Sequence, residues 1–541
     1  MRALLISTYE MGHQPFGLAS PAAWLRAAGW AVTCVDVAKD RLRDEFVSGA
    51  ALIGFHLPMH TATRLAAPVI SKARRFNPSA RICAYGLYAP LNAEWLRSLG
   101  VDDVLGGEFE EELTAIAHDV SAGCSASLPP SHEASADGRS LGGGGQACAT
   151  AGLAPAARVV RPAHHSLGLS RGAKTASLQA LQREQATALS RERWGWGSSA
   201  VKKVGPPEHT KRTSATPEAL PRLHFLVPDR SGLPSLDRYA TLQMGDGRRK
   251  LVGHTEASRG CRHLCRHCPV VPIYNGQFRV VQPDIVLADI AGQVRAGAEH
   301  ITFGDPDFFN GPTHAMRIVE ALHRAHPALT YDVTIKIEHL LRYRNLLPGL
   351  RETGCVFVTS AAESVDDLVL ARLEKGHTRR DFIDAVALCC EAGVTIVPTF
   401  VAFHPWLALD GYCDLLDTLE ALDLVDHVAP IQLAIRLLIP ERSRLLELEE
   451  IRGLVGAFDP ATLTYRWTHP DHRVENLHRD VAALVGLRLT ADRRAIFGEI
   501  SALARERAGL PRVSACGPRK ENVKPARDRA TVPYLNEPWY C

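Results

Sequence analysis

Cys261, Cys265 and Cys268 fall within eight residues, in the stretch GCRHLCRHCPV. Three thiols this close together point to metal or redox chemistry, and if they are ligands their number asks which metal. Structural zinc takes four closed ligands, commonly two C-x-x-C knuckles, and the sequence holds no second knuckle. On the zinc alternative the fourth ligand is His263 or His267, yet both lie inside the same tight loop. Iron and sulfide suit thiolate ligands. On a four-iron cubane, three thiolates leave one iron without a protein ligand, and an open position distinguishes a catalytic metal centre from a closed structural one. Arg259, Arg262 and Arg266 are expected to surround the loop with positive charge, favouring thiolates and offsetting the charge of a cluster.

A loop of this kind needs a frame. After residue 222 the segments LVGHTEA, HITFGD, YDVTIKI, CVFVTS, VTIVPTFVAF and PIQLAIRLL read as strands. Between them lie helical patterns such as QPDIVLADIAGQVRAG and TRRDFIDAVALCCEAG. Six βα units predict a partial (β/α)6 TIM-like barrel over 222–440, with its chemistry at the C-terminal strand ends. The cysteine loop directly follows the first strand, as that rule requires. Residues 1–120 show the same alternation, from RALLIST and GLASPAAWLRAAG to EFEEELTAIAHDV, and predict an α/β, doubly wound, Rossmann/flavodoxin-like domain. Its ligand edge would carry STYEMGHQPFG, FHLPMH, YGLYAP and GGE. Residues 121–221, rich in Ala, Ser, Gly and Pro, are expected to be a disordered linker, because they cannot bury enough apolar surface to offset ordering entropy. Residues 441–541 read as a helical C-terminal region and tail, from ERSRLLELEEIRGLVGAF to ADRRAIFGEISALARERAGL. There LTYRWTHPDHR either lines substrate space or places Trp467 in a core.

Composition sets the bounds. The chain has 541 residues, 46% of them hydrophobic, with 62 Lys and Arg against 59 Asp and Glu. A net charge of +3 gives no basic field for nucleic acid. The start, MRALLISTYEMGHQPFG, is too short in its apolar run for a signal peptide, and no stretch approaches a membrane span, so a cytoplasmic location with no membrane partner is expected. Thirteen thinly spread cysteines do not form a disulfide framework, which leaves metal or redox chemistry for the cluster of three.

The C-x-x-x-C-x-x-C spacing after the first strand of a βα barrel resembles the cluster motif of the radical S-adenosylmethionine superfamily. The resemblance implies that Cys261, Cys265 and Cys268 hold a [4Fe-4S] cluster whose open iron is chelated by S-adenosylmethionine, and that an external flavodoxin- or ferredoxin-type donor supplies the electron that cleaves it to a 5′-deoxyadenosyl radical. GDPDFF takes the place of the family's Gly-Gly-Glu segment, which makes Gly304, Asp305 and Asp307 cofactor-binding candidates. Glu363 in TSAAESVDD matches the acidic residue near the ribose, and LEKGHT resembles the segment following it. His267 stands where family members carry an aromatic residue near the adenine.

The doubly wound domain ahead of the barrel resembles the cobalamin-binding domain of cobalamin-dependent members, which implies cobalamin and methyl transfer or another carbon-centred modification of an unknown substrate. The D-x-H-x-x-G motif for a histidine on cobalt is absent, although His13, His56 and His60 lie on the expected ligand edge. The final NEPWYC resembles the tail of the CUAEP/CCAEP-tail radical S-adenosylmethionine (seleno)proteins, which implies that Cys541 is a catalytic half of a vicinal cysteine–selenocysteine pair. The alternative function is a non-catalytic iron–sulfur redox or sensor protein.

Overall fold

The computed structural model describes residues 1–126, 223–488, 491–511 and 530–536. Five short apolar runs form the first sheet: β1 (Arg2–Ser7), β2 (Ala31–Asp36), β3 (Leu52–His56), β4 (Arg81–Tyr85) and β5 (Asp103–Leu105). All pair in parallel, in the order β2-β1-β3-β4-β5. This is the flavodoxin-like order, whose switch point lies between β1 and β3. The run Ala-Leu-Leu-Ile in β1 is apolar without alternation because both of its faces are covered. Ala3 and Leu5 pack with Leu18, Ala22 and Leu25 of the helix Phe16–Ala27 and with Leu113 and Ala117 of the helix Glu110–Ala126. Leu4 and Ile6 face the other way, onto Ala66, Ile70 and Ala73 of the helix His60–Phe76. The helix Glu110–Ala126 runs past residue 121, into the segment the sequence assigns to a linker; the rest of 121–221 lies outside the described residues.

The second half begins with β6 (Thr241–Gln243), β7 (Arg249–Thr255), β8 (Ser258–Gly260) and β9 (Phe278–Val280). It continues with β10 (His300–Phe303), β11 (Thr330–Thr334), β12 (Cys355–Glu363) and β13 (Thr395–Phe400). Strands β7, β10, β11, β12 and β13 are parallel neighbours, and β6 adds an antiparallel edge. Alternate residues divide by polarity. Ile301, Phe303, Tyr331 and Val333 enter one large core with Val286, Ile290, Ile318 and Phe382 of the flanking helices. On the opposite alternation, His300 and Thr302 both bond the Asp332 carboxylate, at 2.8 and 2.6 Å.

The sixth expected strand is reduced to one contact. PIQLAIRLL forms a 3-10 turn, Pro430–Ala434, followed by a single parallel bridge between Phe403 and Arg436. Pro430 brings no N–H to a ladder, and the Gln432 side chain accepts the Phe400 N–H at 3.2 Å, the role a neighbouring strand's carbonyl would play. The sheet is therefore a curled half barrel.

The C-terminal reading is corrected in one place. VGAF is not helical: β14 (Val455–Asp459) pairs antiparallel with β15 (Thr464–Trp467). Short apolar runs with glycine fit either state, and the Tyr465 N–H bonded to Ile439 O at 2.8 Å selects the strand. Trp467 is a core residue, 9% exposed, whose indole donates to Leu437 O at 2.9 Å. The helices His472–Leu487 and Arg493–Ala508 complete the barrel's outer layer, and β16 (Tyr534–Leu535) adds to β6. Among the described residues no helix is long and apolar enough to cross a membrane.

Candidate cluster and cofactor site

The cysteine loop is the tip of a clasp. Strands β8 and β9 pair antiparallel, with Arg259 opposite Arg279, and everything from Cys261 to Gln277 hangs between them. Gly260 closes the first strand with φ +76°; a Cβ there would lie 2.5 Å from Gln277 O and from the Tyr274 ring. Within the loop Cys268 N–H donates to Cys265 O at 3.2 Å, and the turn continues into the short helix Val271–Tyr274. Asn310, after β10, holds the loop from outside: its Oδ1 accepts the Arg262 N–H at 3.2 Å and its Nδ2 donates to Gly260 O at 3.4 Å. The Cys261 thiol lies 3.9 Å from the same Oδ1. Cys261 and Cys265 are buried, and Cys268 is half-buried. The other described cysteines sit elsewhere in the two cores or on helices.

The expected role of the arginines is corrected. Arg259 is spent on carboxylates: it grips Glu110 through both terminal nitrogens, at 2.8 and 2.7 Å, and Glu256 at 2.7 Å. Arg266 pairs with Glu374, and Arg262 lies over the Phe278 ring, 4.5 Å from its centre. Burial raises the Cys261 thiol and pushes Cys268 up to about 12, with the neighbouring thiols adding to the latter. In the metal-free loop Cys261 and Cys268 are therefore favoured as thiols, and metal binding must displace their protons. The cation that does face the cysteines is Lys375, whose side chain is only 3% exposed. Burial alone would lower its ammonium, but Glu363, Cys265 and Cys268 raise it above the usual lysine value.

Lys375 is part of a small polar triad with Glu363 and His267. Its Nζ is 3.4 Å from Glu363 Oε1, and His267 Nε2 is 3.0 Å from the same oxygen. Burial opposes ionisation of Glu363, yet Lys375 and His267 outweigh it and hold the carboxyl at about 2. Glu363 ends β12 at a register shift, with φ +67°, which turns its carboxylate out of the ladder toward the loop. The structure thus brings together two of the sequence candidates, His267 and Glu363. It gives the others separate partners. Asp305 accepts from Ala257 N–H at 2.9 Å and Ser258 OH at 2.5 Å, and burial pushes it up to about 7. Asp307 caps the turn Phe308–Asn310 through Phe309 N–H, and lies 2.7 Å from His339 Nδ1 and 3.6 Å from His263 Nε2. Burial would raise Asp307, but the two imidazoles hold it below the usual carboxylate range. Gly304 donates its N–H to Thr255 O at 2.8 Å, and a Cβ there would meet the His254 ring at 2.6 Å. Cys541 lies outside the described residues. Lys375, Asn310 and His339 were not singled out as binding residues by sequence, and His263 entered only as a fourth ligand on the zinc alternative; the LEKGHT stretch was the one local signal for Lys375.

The ligand edge of the first sheet meets this loop. Leu87, after β4, packs with Cys268 and Ile273 around Cys261, Val270 and Tyr274. Tyr9, Met11, Met59, Tyr88 and Leu91 extend the apolar contact. Tyr274 OH donates to Glu108 at 3.4 Å, and Arg279 pairs with Glu108 at 2.7 Å. The loop histidines are engaged by the protein. His13 stacks on His254 with ring centres 4.7 Å apart, His56 pairs with Glu10 at 3.0 Å, and His60 bonds Thr462 O at 2.6 Å.

Residues 255–419 match the Radical SAM superfamily, and they begin at the end of β7 and include the whole cysteine loop. A candidate methylthiotransferase of Methanocaldococcus jannaschii is 22% identical over 158 residues, covering 28% of this chain and 35% of that protein, so the match spans about a third of that curated relative. Among solved structures, the cobalamin-dependent S-adenosylmethionine radical enzyme OxsB, with aqua-cobalamin and S-adenosylmethionine bound, superposes with TM-score 0.57 at 13% identity. That superposition covers 90% of this chain and 67% of OxsB. The radical S-adenosylmethionine methyltransferase TsrM from Kitasatospora setae, with cobalamin and a [4Fe-4S] cluster, superposes with TM-score 0.54 at 16% identity, covering 93% of this chain and 99% of TsrM. Residues 255–419 of the chain therefore carry a radical S-adenosylmethionine domain. Its two-sheet architecture is the one found in OxsB and TsrM.

Proposed function

We propose that this protein is a cobalamin-dependent radical S-adenosylmethionine enzyme that transfers a methyl group, or makes another carbon-centred change, on a small or macromolecular substrate. Cys261, Cys265 and Cys268 fit a [4Fe-4S] cluster with one open iron: three thiols share one loop, and none of the other described cysteines joins them. A [4Fe-4S] cluster held there by Cys261, Cys265 and Cys268 would supply one-electron reductive cleavage of S-adenosylmethionine, with the electron replaced by an external one-electron donor. The chain's own residues prepare the place. Lys375 balances thiolate charge beside Cys265 and Cys268, and Glu363, kept ionised by Lys375 and His267, would accept hydrogen bonds from the ribose hydroxyls of bound S-adenosylmethionine. Asn310 fixes the loop, while Leu87, Val270 and Tyr274 exclude water from its thiols.

The observation that carries the cobalamin part is the apolar contact of Leu87 and its neighbours with the cysteine loop, because it sets the ligand edge of a flavodoxin-like sheet beside the cluster residues. His56 and His60 each have a ring nitrogen engaged by other protein groups, and His13 is buried in a stack on His254, so the reading places no histidine on cobalt. An electron carrier or sensor has no use for such a second ligand edge. The test is reconstitution of the full chain with iron, sulfide and hydroxocobalamin under anaerobic conditions, followed by gel filtration. Corrinoid absorbance travelling with the protein at about one per chain is expected. Protein that emerges with its cluster but without corrinoid would remove the cobalamin part of the proposal.

A further inference from the structure

We propose that His263, Asp307 and His339 form a second metal site, for a divalent first-row transition-metal ion, beside the cysteine loop. The three residues come from different strand ends: His263 from the loop after β8, Asp307 from the segment after β10, and His339 from the helix Ile337–Arg342 after β11. Their ligand atoms all lie within 4.8 Å of one another, and the two imidazole rings are 4.8 Å apart at a 58° tilt. Asp307 is fully buried, His339 is 5% exposed and His263 15%.

The state of the individual atoms is the second, independent observation. Asp307 Oδ2, His339 Nδ1 and His263 Nε2 are each buried without a hydrogen bond of acceptable geometry. His339 Nδ1 is 2.7 Å from the carboxylate oxygen but off the line a hydrogen bond needs, and His263 Nε2 stands 3.6 Å away. An ion pair between Asp307 and one imidazole would explain the shorter contact and leave the other nitrogen unsatisfied. Buried polar atoms are almost always paired, so three orphans aimed at one point mark a missing partner. One ion satisfies all three. Of the atoms facing away from that point, Asp307 Oδ1 accepts Phe309 N–H at 3.2 Å, and His263 Nδ1 has the Glu338 carboxylate 3.6 Å away, an ion-pair distance that a small ring rotation on metal binding would close to a hydrogen bond. A carboxylate behind a metal-ligating imidazole is the usual outer support of such sites. Two imidazoles and one carboxylate suit manganese, iron, cobalt or zinc and leave coordination positions open. Bound there, the ion ties the cysteine loop to the ends of β10 and β11.

The probe is cobalt(II). Full-length, cluster-loaded protein, desalted anaerobically, is titrated with cobalt(II) chloride and followed by visible absorption and by metal analysis after gel filtration. The expected result is one cobalt per chain with ligand-field bands and no thiolate charge-transfer band. His339→Gln and Asp307→Asn are expected to abolish that binding while keeping the wild-type iron and sulfide content. Glu338→Gln, at a carboxylate more than a third exposed, is expected to fold normally and to weaken cobalt about tenfold. Cobalt binding equal in wild type, His339→Gln and Asp307→Asn would overturn the site, as would a thiolate charge-transfer band accompanying the bound ion. If the two ligand variants fail to retain iron, wild-type affinity in Glu338→Gln overturns it instead.

Discussion

Lys375 shows how much at the residue scale depends on partners distant in sequence. It lies beside Cys265 and Cys268, more than a hundred residues earlier in the chain, and beside Glu363, so no local spacing rule marks it as part of the cluster site. The same holds for Asn310 against Gly260 and Arg262, and for His263 against His339. The cysteines and Glu363 were legible because their signal is a spacing or a strand-end position. Arg259 misled because charge adjacency in sequence says nothing of a carboxylate such as Glu110 from another domain, whereas Arg262 does keep its charge beside the loop, over the Phe278 ring. Burial makes the Lys375–Glu363 pair testable. Removing one partner of a buried pair leaves an uncompensated charge, at a cost of about 3–5 kcal/mol. Lys375→Met is therefore expected to lower stability by that order in denaturant unfolding. Lys375→Met combined with Glu363→Gln is expected to recover part of the loss. Additive losses in the double variant would show that the two charges do not support each other.

At the scale of elements, the βα alternation gave both parallel sheets, since runs such as ALLIS and HITF need helices on their faces wherever they sit. The sixth barrel strand and the β14–β15 hairpin were not legible, because each depends on tertiary bonds such as Gln432 to Phe400 in one case and Tyr465 to Ile439 in the other. The β8–β9 clasp was also invisible, as three-residue strands carry no usable period. Its critical position is Gly260. Ala there incurs about 1–2 kcal/mol for the left-handed backbone alone, and its Cβ would press on the Gln277 carbonyl, which belongs to the clasp itself. Gly260→Ala is expected to fold, since both cores are untouched, but to take up well under half the wild-type iron and sulfide on reconstitution. Full iron uptake by a folded Gly260→Ala protein would mean that the clasp does not shape the loop.

Over the whole molecule, a buried ionic knot helps to join the two sheets. Arg259 of the clasp holds Glu110 at the start of a first-domain helix, under the rings of Phe16, Phe109 and Phe225, at 5.0 to 5.8 Å from the guanidinium carbon. Ser20 donates to the same Glu110 at 2.6 Å. This fixes the first sheet's ligand edge against the loop that carries the cysteines, which is why the two halves read as one catalytic unit. The central claim is that this loop supports reductive cleavage of S-adenosylmethionine through three cysteines and an open iron. It is tested most directly by incubating anaerobically reconstituted protein with S-adenosylmethionine and a strong one-electron reductant, then measuring 5′-deoxyadenosine in wild type and in Cys261→Ala, Cys265→Ala and Cys268→Ala. The account predicts 5′-deoxyadenosine from the wild type and a loss of at least a hundredfold, on the order of 2.7 kcal/mol in the barrier, in every variant. Wild-type levels of 5′-deoxyadenosine from any one of the three variants would contradict it.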